Sequence, residues 1–94
     1  MDTAGHIDET DAAHIFRQAA GHVPDTPANR ELLLSTLALP NFLGQDRFGN
    51  SWYARALSDG RQVWVQSRGN RIRNGGVNDA PRTFNALTGL SKPE

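Results

Sequence analysis

The chain has 94 residues, of which 37% are apolar, and its 10 basic and 10 acidic residues give a formal net charge of zero. This length allows one domain, residues 1–94, with one modest core, and the neutral charge argues against a uniformly basic nucleic-acid binder. The lack of cysteine excludes disulfides and thiolate metal sites. No apolar run approaches the roughly 18 residues of a membrane span, and no signal peptide is recognisable.

The first predicted helix runs from a cap at Thr10 to a stop at Gly21, after an acidic leader over residues 1–9 that we expect to be loose. A helical wheel gathers the alanine, isoleucine and phenylalanine side chains on one face. His14 and Arg17 fall on the opposite, polar face. His14 is therefore not predicted to be a core residue.

The second predicted helix has explicit start and stop signals. Thr26 is the expected N-cap, Pro27 occupies the first helical position, and Pro40 ends the helix. The two helices together make up a helical part over residues 10–39. The leucines of the second helix supply the helical half of the core: Leu32, Leu33, Leu34, Leu37 and Leu39.

Short runs rich in aromatic and β-branched residues follow, within an expected sheet over residues 50–85. The runs "SWYARAL", "RQVWVQS" and "NRIRN" are separated by turn-forming sequences and predict an antiparallel meander. Val63 and Val65 would point to one face of the central strand, and Trp64 to the other; one of these faces covers the helices. The predicted class is α+β, two N-terminal helices packed on a small antiparallel sheet.

The carboxy-terminal third is predicted to end in an irregular segment with at most a short strand around residues 82–84, then a tail over residues 86–94. The glycines of "NGGVN", residues 74–78, indicate one of two structures. The first is a tight turn with positive φ, and the second is a loop whose backbone amides approach phosphate, with Asn78 as one of the contacts. We favour the turn.

Positive charge is concentrated in the same third of the chain. Five arginines lie between residues 61 and 85, against the single carboxylate of Asp79. Arginine suits phosphate because its planar fork is permanently charged. General use of arginine in place of lysine explains this clustering less well than a local anion-binding face, which is what we predict. An ordinary solvated sheet edge is the alternative. The candidates are Arg61, Arg68, Arg71, Arg73 and Arg82.

The polar residues fit metal-independent RNA cleavage better than other chemistries. The histidines lack paired metal-ligand spacing, and no phosphate loop or serine-nucleophile turn is recognisable. Cleavage through the ribose 2′-hydroxyl needs a base, an acid and donors for the phosphorane. His14 and His22 could transfer the protons, Arg17 and Arg71 could neutralise charge, and Thr83 could add a hydrogen bond.

Two residues have a plain structural alternative to a role at an RNA site: His22 as a catalytic group and Trp64 as an RNA contact. His22 could simply cap the helix end, where a cation is favourable. Trp64 could be a core residue rather than a platform on which an RNA base stacks, and the core role is the one we favour.

"HIFRQAAGHVPDTPANRELL" followed by "NFLGQDRFGNSWYARALSDGRQVWVQSRGNRIRNGGVNDAPRTFN" resembles the C-terminal toxin domains of bacterial polymorphic toxins, of the Rhs and contact-dependent inhibition types. It is similar to the barnase–EndoU–colicin–RelE ribonuclease group. On this resemblance His14 matches the group's helix histidine, His22 a second histidine, and Thr83 the terminal hydroxyl. Because the only lysine is Lys92, the resemblance favours an arginine-based, colicin-like tRNase site over an EndoU site.

The resemblance implies an endoribonuclease toxin that cleaves tRNA or another structured RNA inside a target cell, without cofactor or metal. It implies a larger secreted carrier polypeptide, a cognate immunity protein, and no membrane insertion by this domain. Arg68, Arg73, Arg82, Trp64 and Asn78 are the expected RNA contacts. The alternatives are a non-catalytic protein- or nucleic-acid-binding module and a metal-dependent DNase toxin.

Overall fold

The computed structural model describes residues 5–90, which form two short helices followed by a four-stranded antiparallel sheet in the order β1-β2-β3-β4. The elements are α1 (Glu9–Ile15), α2 (Pro27–Thr36), a single 3-10 turn (Leu39–Asn41), β1 (Phe42–Gln45), β2 (Ser51–Ala56), β3 (Gln62–Arg68) and β4 (Arg71–Asn78). The predicted α+β class is confirmed. No helix within residues 5–90 is long and apolar enough to cross a bilayer. Residues 1–4 of the leader, and residues 91–94 of the tail with Lys92, lie outside the described residues.

The start of α2 agrees with the sequence prediction. Thr26 is its N-cap, and the Thr26 hydroxyl accepts a hydrogen bond from the Asn29 backbone N–H at 3.0 Å. Pro27 is the first helical residue, as expected for a residue that has no N–H to leave unsatisfied. The helix ends at Thr36, before the predicted stop at Pro40.

The first helix is shorter than predicted and begins earlier. Its N-cap is Asp8, whose carboxylate accepts a hydrogen bond from the Thr10 backbone N–H at 2.9 Å. It ends at Ile15 rather than near Gly21. The side chains of Ala19 and Ala20, which the helical wheel placed on the buried face, are exposed. A further turn of helix would therefore have buried no apolar surface to stabilise it.

The prediction of a loose leader is wrong for residues 5–9. The His6 backbone N–H donates to the Asn70 carbonyl at 2.8 Å, and the Ile72 N–H donates to the His6 carbonyl at 3.0 Å. His6 thus forms a parallel bridge with Arg71 at the start of β4. These hydrogen bonds fix the approach of the chain to α1.

The sheet contains the predicted meander and one strand that the sequence analysis missed. β2, β3 and β4 pair antiparallel, and β1 pairs with β2 along the opposite edge from β4. β4 continues through Gly75 and Gly76, neither of which has positive φ, so the turn favoured for "NGGVN" is wrong. Residues 82–84 are not part of the sheet.

The two faces of the sheet bury different side chains. One face packs on the helices through aliphatic residues. We call this the helix face. The opposite face, which we call the tryptophan face, carries Trp52, Trp64 and Leu90, with Phe84 packed against them. The alternation predicted for β3, with Val63 and Val65 on one side and Trp64 on the other, is confirmed. The buried aliphatic cluster consists of Ile15, Leu33, Val63, Val65, Ile72 and Val77.

Candidate functional site

A cavity of about 180 Å³ lies on the tryptophan face of the sheet. The loop that follows α1 forms one wall, strands β2–β4 the floor, and the segment after β4 the other wall. We call it the cationic pocket because two of its lining side chains are arginines and none of the described residues that line it is a carboxylate. The lining residues are Arg17, Ala20, Gly21, His22, Trp52, Trp64, Asn74, Asn78, Arg82 and Leu90.

His22 is fixed in this pocket by contacts on two sides. Its Nδ1 lies 2.7 Å from the backbone carbonyl oxygen of Ile15, the last residue of α1. A carbonyl can only accept, so Nδ1 carries the proton and Nε2 of the neutral ring is left as an acceptor. The ring also packs edge-on against Trp64, with centroids 5.7 Å apart. His22 thus caps the end of α1 at Ile15, as a neutral donor rather than as the cation considered for a helix end at Gly21, and this hydrogen bond orients the ring.

The loop that carries His22 lies directly on β4. A Cβ added to Gly76 would overlap the backbone carbonyl of Gly21, so only glycine allows this approach. Gly21 itself has a φ of 81°, and its carbonyl accepts a hydrogen bond from the Trp64 indole N–H at 3.2 Å. The glycine pair of "NGGVN" thus brings the histidine loop onto the sheet.

The environment of His22 favours the neutral imidazole. Burial is the main cause that lowers the pKa of His22 below its ordinary value, and the charges of Arg17 and His14 lower it further. The carbonyls of Ile15 and Gly75 act in the opposite direction, because they stabilise the protonated ring, but they do not outweigh the burial. His22 is therefore a proton acceptor at neutral pH.

Arg17 links His14 to the pocket. Its Nη1 donates to the His14 backbone carbonyl at 2.7 Å and lies 3.1 Å from Nδ1 of the His14 ring. Both side chains are exposed, and Arg17 lines the cationic pocket whereas His14 does not. The result is one guanidinium flanked by two imidazoles, with the exposed ring outside the pocket and the half-buried ring inside it.

Arg82 lies in the opposite wall and is held there both through its backbone and through its guanidinium, whose Nη1 donates to the Leu90 carbonyl at 3.2 Å. The buried Gln62 side chain accepts from the Arg82 N–H at 3.0 Å and donates to the Arg82 carbonyl at 3.2 Å. Gln62 also accepts from the Asn78 amide at 2.9 Å. Sequence analysis gave Gln62 no role, since its partner Arg82 lies 20 residues away.

Arg71 and Arg73 do not line the pocket. The Arg71 guanidinium lies 2.6 Å from the Asp11 carboxylate, and Arg73 approaches the same carboxylate at 3.4 Å. Hydrogen bonding from Arg71 is the main cause that lowers the pKa of Asp11, against its burial. In the structure these two arginines instead form ion pairs with Asp11 that join α1 to β4, and their predicted contacts with phosphate stay a prediction.

Arg68 and Thr83 are likewise outside the pocket. Arg68 donates to the Phe48 carbonyl at 2.8 Å and to the Asn50 side chain at 2.9 Å, and so supports the turn between β1 and β2. Thr83 is exposed on the segment after β4. The structure therefore does not bring the predicted terminal hydroxyl to the histidines.

Trp64 belongs to the core, as the favoured alternative proposed. It stacks on Trp52 with ring centroids 5.6 Å apart and an angle of 19° between the planes, and the two residues are only 7% and 6% exposed. Both rings are largely covered and form part of the pocket floor, so they do not present an open platform on which an RNA base could stack. Asn78 is almost fully buried, and contributes to the pocket wall rather than to an open surface.

Among residues 5–90, no three histidine, cysteine or carboxylate side chains are grouped closely enough to hold a metal ion. No protein-family model, curated protein or solved structure matches the chain. The resemblance to polymorphic toxin domains therefore stays a prediction.

Proposed function

We propose that this chain is a metal-independent endoribonuclease that cleaves tRNA or another structured RNA through the ribose 2′-hydroxyl. The observation that carries the proposal is the composition of the cationic pocket. An oriented imidazole with a lowered pKa, His22, lies there between two guanidiniums, Arg17 and Arg82, without a carboxylate among the described lining residues. This set suits a phosphodiester, which needs a base beside its ribose and positive charge beside its oxygens.

The proposed reaction assigns one step to each group. Nε2 of His22 takes the proton of the 2′-hydroxyl, and the oxygen attacks the adjacent phosphorus. The bond from phosphorus to the 5′-oxygen breaks, and that oxygen takes a proton from the His14 imidazolium, whose ring must first release its contact with Arg17. The products are a 2′,3′-cyclic phosphate and a 5′-hydroxyl. Arg17 and Arg82 neutralise the charge that develops on the phosphorane oxygens. The Ile15 carbonyl holds the Nδ1 proton of His22, so the proton gained in the reaction lies on Nε2.

The biological setting proposed with this activity is a toxin domain that a larger secreted polypeptide delivers into the cytoplasm of a target cell. A cognate immunity protein would protect the producing cell. The resemblance to polymorphic toxin domains supports this setting. The absence of a membrane-spanning helix within residues 5–90 is compatible with it.

The test is direct incubation of the purified chain with total RNA in the presence of a chelator, followed by mapping of the fragment ends. The proposal predicts discrete cleavage sites with cyclic-phosphate and 5′-hydroxyl ends. RNA that stays intact under all buffer conditions would remove the proposed activity. Cleavage that the chelator abolishes would favour a metal-dependent nuclease instead.

A second candidate is a non-catalytic protein-binding module. It is favoured by large apolar side chains that remain exposed around the β1 edge, with Leu39 at 82% and Phe48 at 61% exposure. Expression in a bacterial host separates the two candidates, since a ribonuclease should arrest growth and a binding module should be tolerated. The exposed side chains are Leu39, Phe42, Leu43, Phe48 and Leu87.

A further inference from the structure

A second, larger cavity of about 440 Å³ lies along the loop that joins α1 to α2. We call it the loop groove. It is lined by Phe16, Arg17, Gln18, Ala19, His22, Val23, Pro24 and Asp25. None of these residues lies on the sheet, so the groove is a feature of the chain segment that follows the early end of α1.

The walls of the loop groove are mainly apolar. Phe16 and Val23 are half-buried and pack against the aliphatic core, which fixes their positions. The Arg30 guanidinium lies 5.5 Å from the centre of the Phe16 ring and further restrains it. A fixed apolar wall of this kind suits a flat, weakly polar group.

The one carboxylate of the loop groove is already paired. Asp25 accepts two hydrogen bonds from Arg30, at 2.6 and 2.8 Å, and this pairing is the main cause that lowers its pKa. The groove thus presents a carboxylate, offset by Arg30, where the cationic pocket presents a second arginine, and it attracts a phosphate less than that pocket does. The cationic pocket is therefore the better site for a phosphate, and the loop groove is the better site for an uncharged base.

The two cavities share a boundary. Arg17 and His22 line both of them, so a ligand that reaches across these two side chains can occupy both at once. A nucleotide has this composition, with an anionic phosphate and a flat base joined through a ribose.

We propose that the loop groove binds the nucleobase of the nucleotide whose phosphate lies in the cationic pocket. This inference rests on the proposed function. The proposed reaction assigns residues to the phosphate and the ribose only, and the inference adds a subsite for the base. Arg17 and His22 then lie beside the ribose, where the 2′-hydroxyl must be.

Isothermal titration calorimetry with nucleoside 3′-monophosphates, ribose 5-phosphate and inorganic phosphate tests the subsite without any need for cleavage. We expect at least one nucleotide to bind about ten-fold or more tightly than ribose 5-phosphate, which is the size of one base contact on an apolar wall. Ala19→Phe should fill the groove, because Ala19 is exposed and lines only this cavity. This variant should bind nucleotides no better than ribose 5-phosphate.

The matched control is Ala28→Phe, which adds the same ring to an exposed position of α2 that lines neither cavity. It should leave nucleotide affinity unchanged, and both variants should keep the wild-type affinity for inorganic phosphate. Equal binding of nucleotides and ribose 5-phosphate by the wild type, or unchanged nucleotide affinity in Ala19→Phe, overturns the subsite. If the chain cleaves RNA but shows either of these binding results, the nuclease is retained and the subsite is rejected. If nucleotides bind through their base but RNA is not cleaved, the base-binding subsite is retained and the nuclease is rejected.

Discussion

The two faces of the sheet are built from the same strands and have opposite physical characters. On the helix face, alternate residues of β3 bury Val63 and Val65 among other aliphatic side chains. On the tryptophan face, the intervening residues Gln62 and Trp64 make hydrogen bonds to the Arg82 backbone and to Gly21, across long stretches of sequence. The helix face stabilises the domain through aliphatic burial, whereas the tryptophan face adds, to its own buried cluster of Trp52, Trp64 and Leu90, directional contacts that place charged side chains around a cavity.

The largest expected loss of stability is on the helix face. Leu33 is fully buried in the aliphatic cluster, so Leu33→Ala should lower the free energy of unfolding by about 2–5 kcal/mol, measured by urea denaturation. Leu39→Ala removes the same atoms from a residue that is 82% exposed and should change stability by less than about 0.5 kcal/mol. Similar losses in both variants would show that burial against α2 does not stabilise this face.

Substitution of Arg17 and of Arg71 distinguishes an arginine that acts in catalysis from one that stabilises the fold. Arg17→Ala should lower the RNA cleavage rate by about ten- to hundred-fold, the loss expected when a charged hydrogen bond to phosphate is removed, with little change in stability. Arg71→Ala should instead destabilise the fold by about 1 kcal/mol, because it leaves the largely buried Asp11 carboxylate with only Arg73 nearby. Its cleavage rate per folded molecule should match that of the wild type.

A reversal of these two results would return the phosphate role to Arg71. In that case the sequence-based assignment would be correct and the cationic pocket would not be the reaction site.

Gln62 offers a test of the hydrogen bonds on the tryptophan face. Gln62→Met keeps the approximate shape of the side chain but removes its hydrogen bonds to Asn78 and Arg82, so stability should fall by about 1–2 kcal/mol. RNA affinity should also weaken, since the Arg82 backbone is no longer held by Gln62, although the bond of its guanidinium to the Leu90 carbonyl remains. Gln66→Met, on the same face but half-exposed, is the control and should be nearly neutral in both measurements. An unchanged RNA affinity in Gln62→Met would remove Gln62 as a positioning residue.

The smallest expected effect is on the pH dependence of stability. The pKa of His22 is lower in the folded state than the unfolded value of about 6.5, so the unfolded chain binds its proton first as pH falls. Stability should therefore decrease from about pH 6.5 downward until pH passes the folded pKa of His22. Carboxylates with lowered pKa, such as Asp11 and Asp46, add their loss only below about pH 4.

Comparison of urea midpoints at pH 7 and pH 5.5 measures the His22 effect. The His22→Asn variant lacks the titrating ring and should lose less stability than the wild type over this interval. Equal slopes in the two proteins would mean that burial does not hold His22 neutral.

The features that the sequence predicted are those set by local chemistry. Thr26 and Pro27 act within one turn of α2, and the alternation along β3 follows from strand geometry alone. The features that it missed depend on contacts distant in sequence. Gly76 lets the backbone of Gly21 approach β4, Arg71 forms an ion pair with Asp11, and the Arg82 backbone donates a hydrogen bond to Gln62. The short β1, interrupted by Gly44 at the sheet edge, left little pattern to detect.

The measurement closest to the central claim is the rate at which His22→Asn cleaves purified tRNA in the presence of chelator. The asparagine amide can still donate to the Ile15 carbonyl, so the loop keeps its cap while the proton acceptor at Nε2 is removed. The account predicts a rate at least about 100-fold below that of the wild type, with most of the thermal stability retained. Cleavage at the wild-type rate by this variant would contradict the account, since His22 would then be a structural cap and no more.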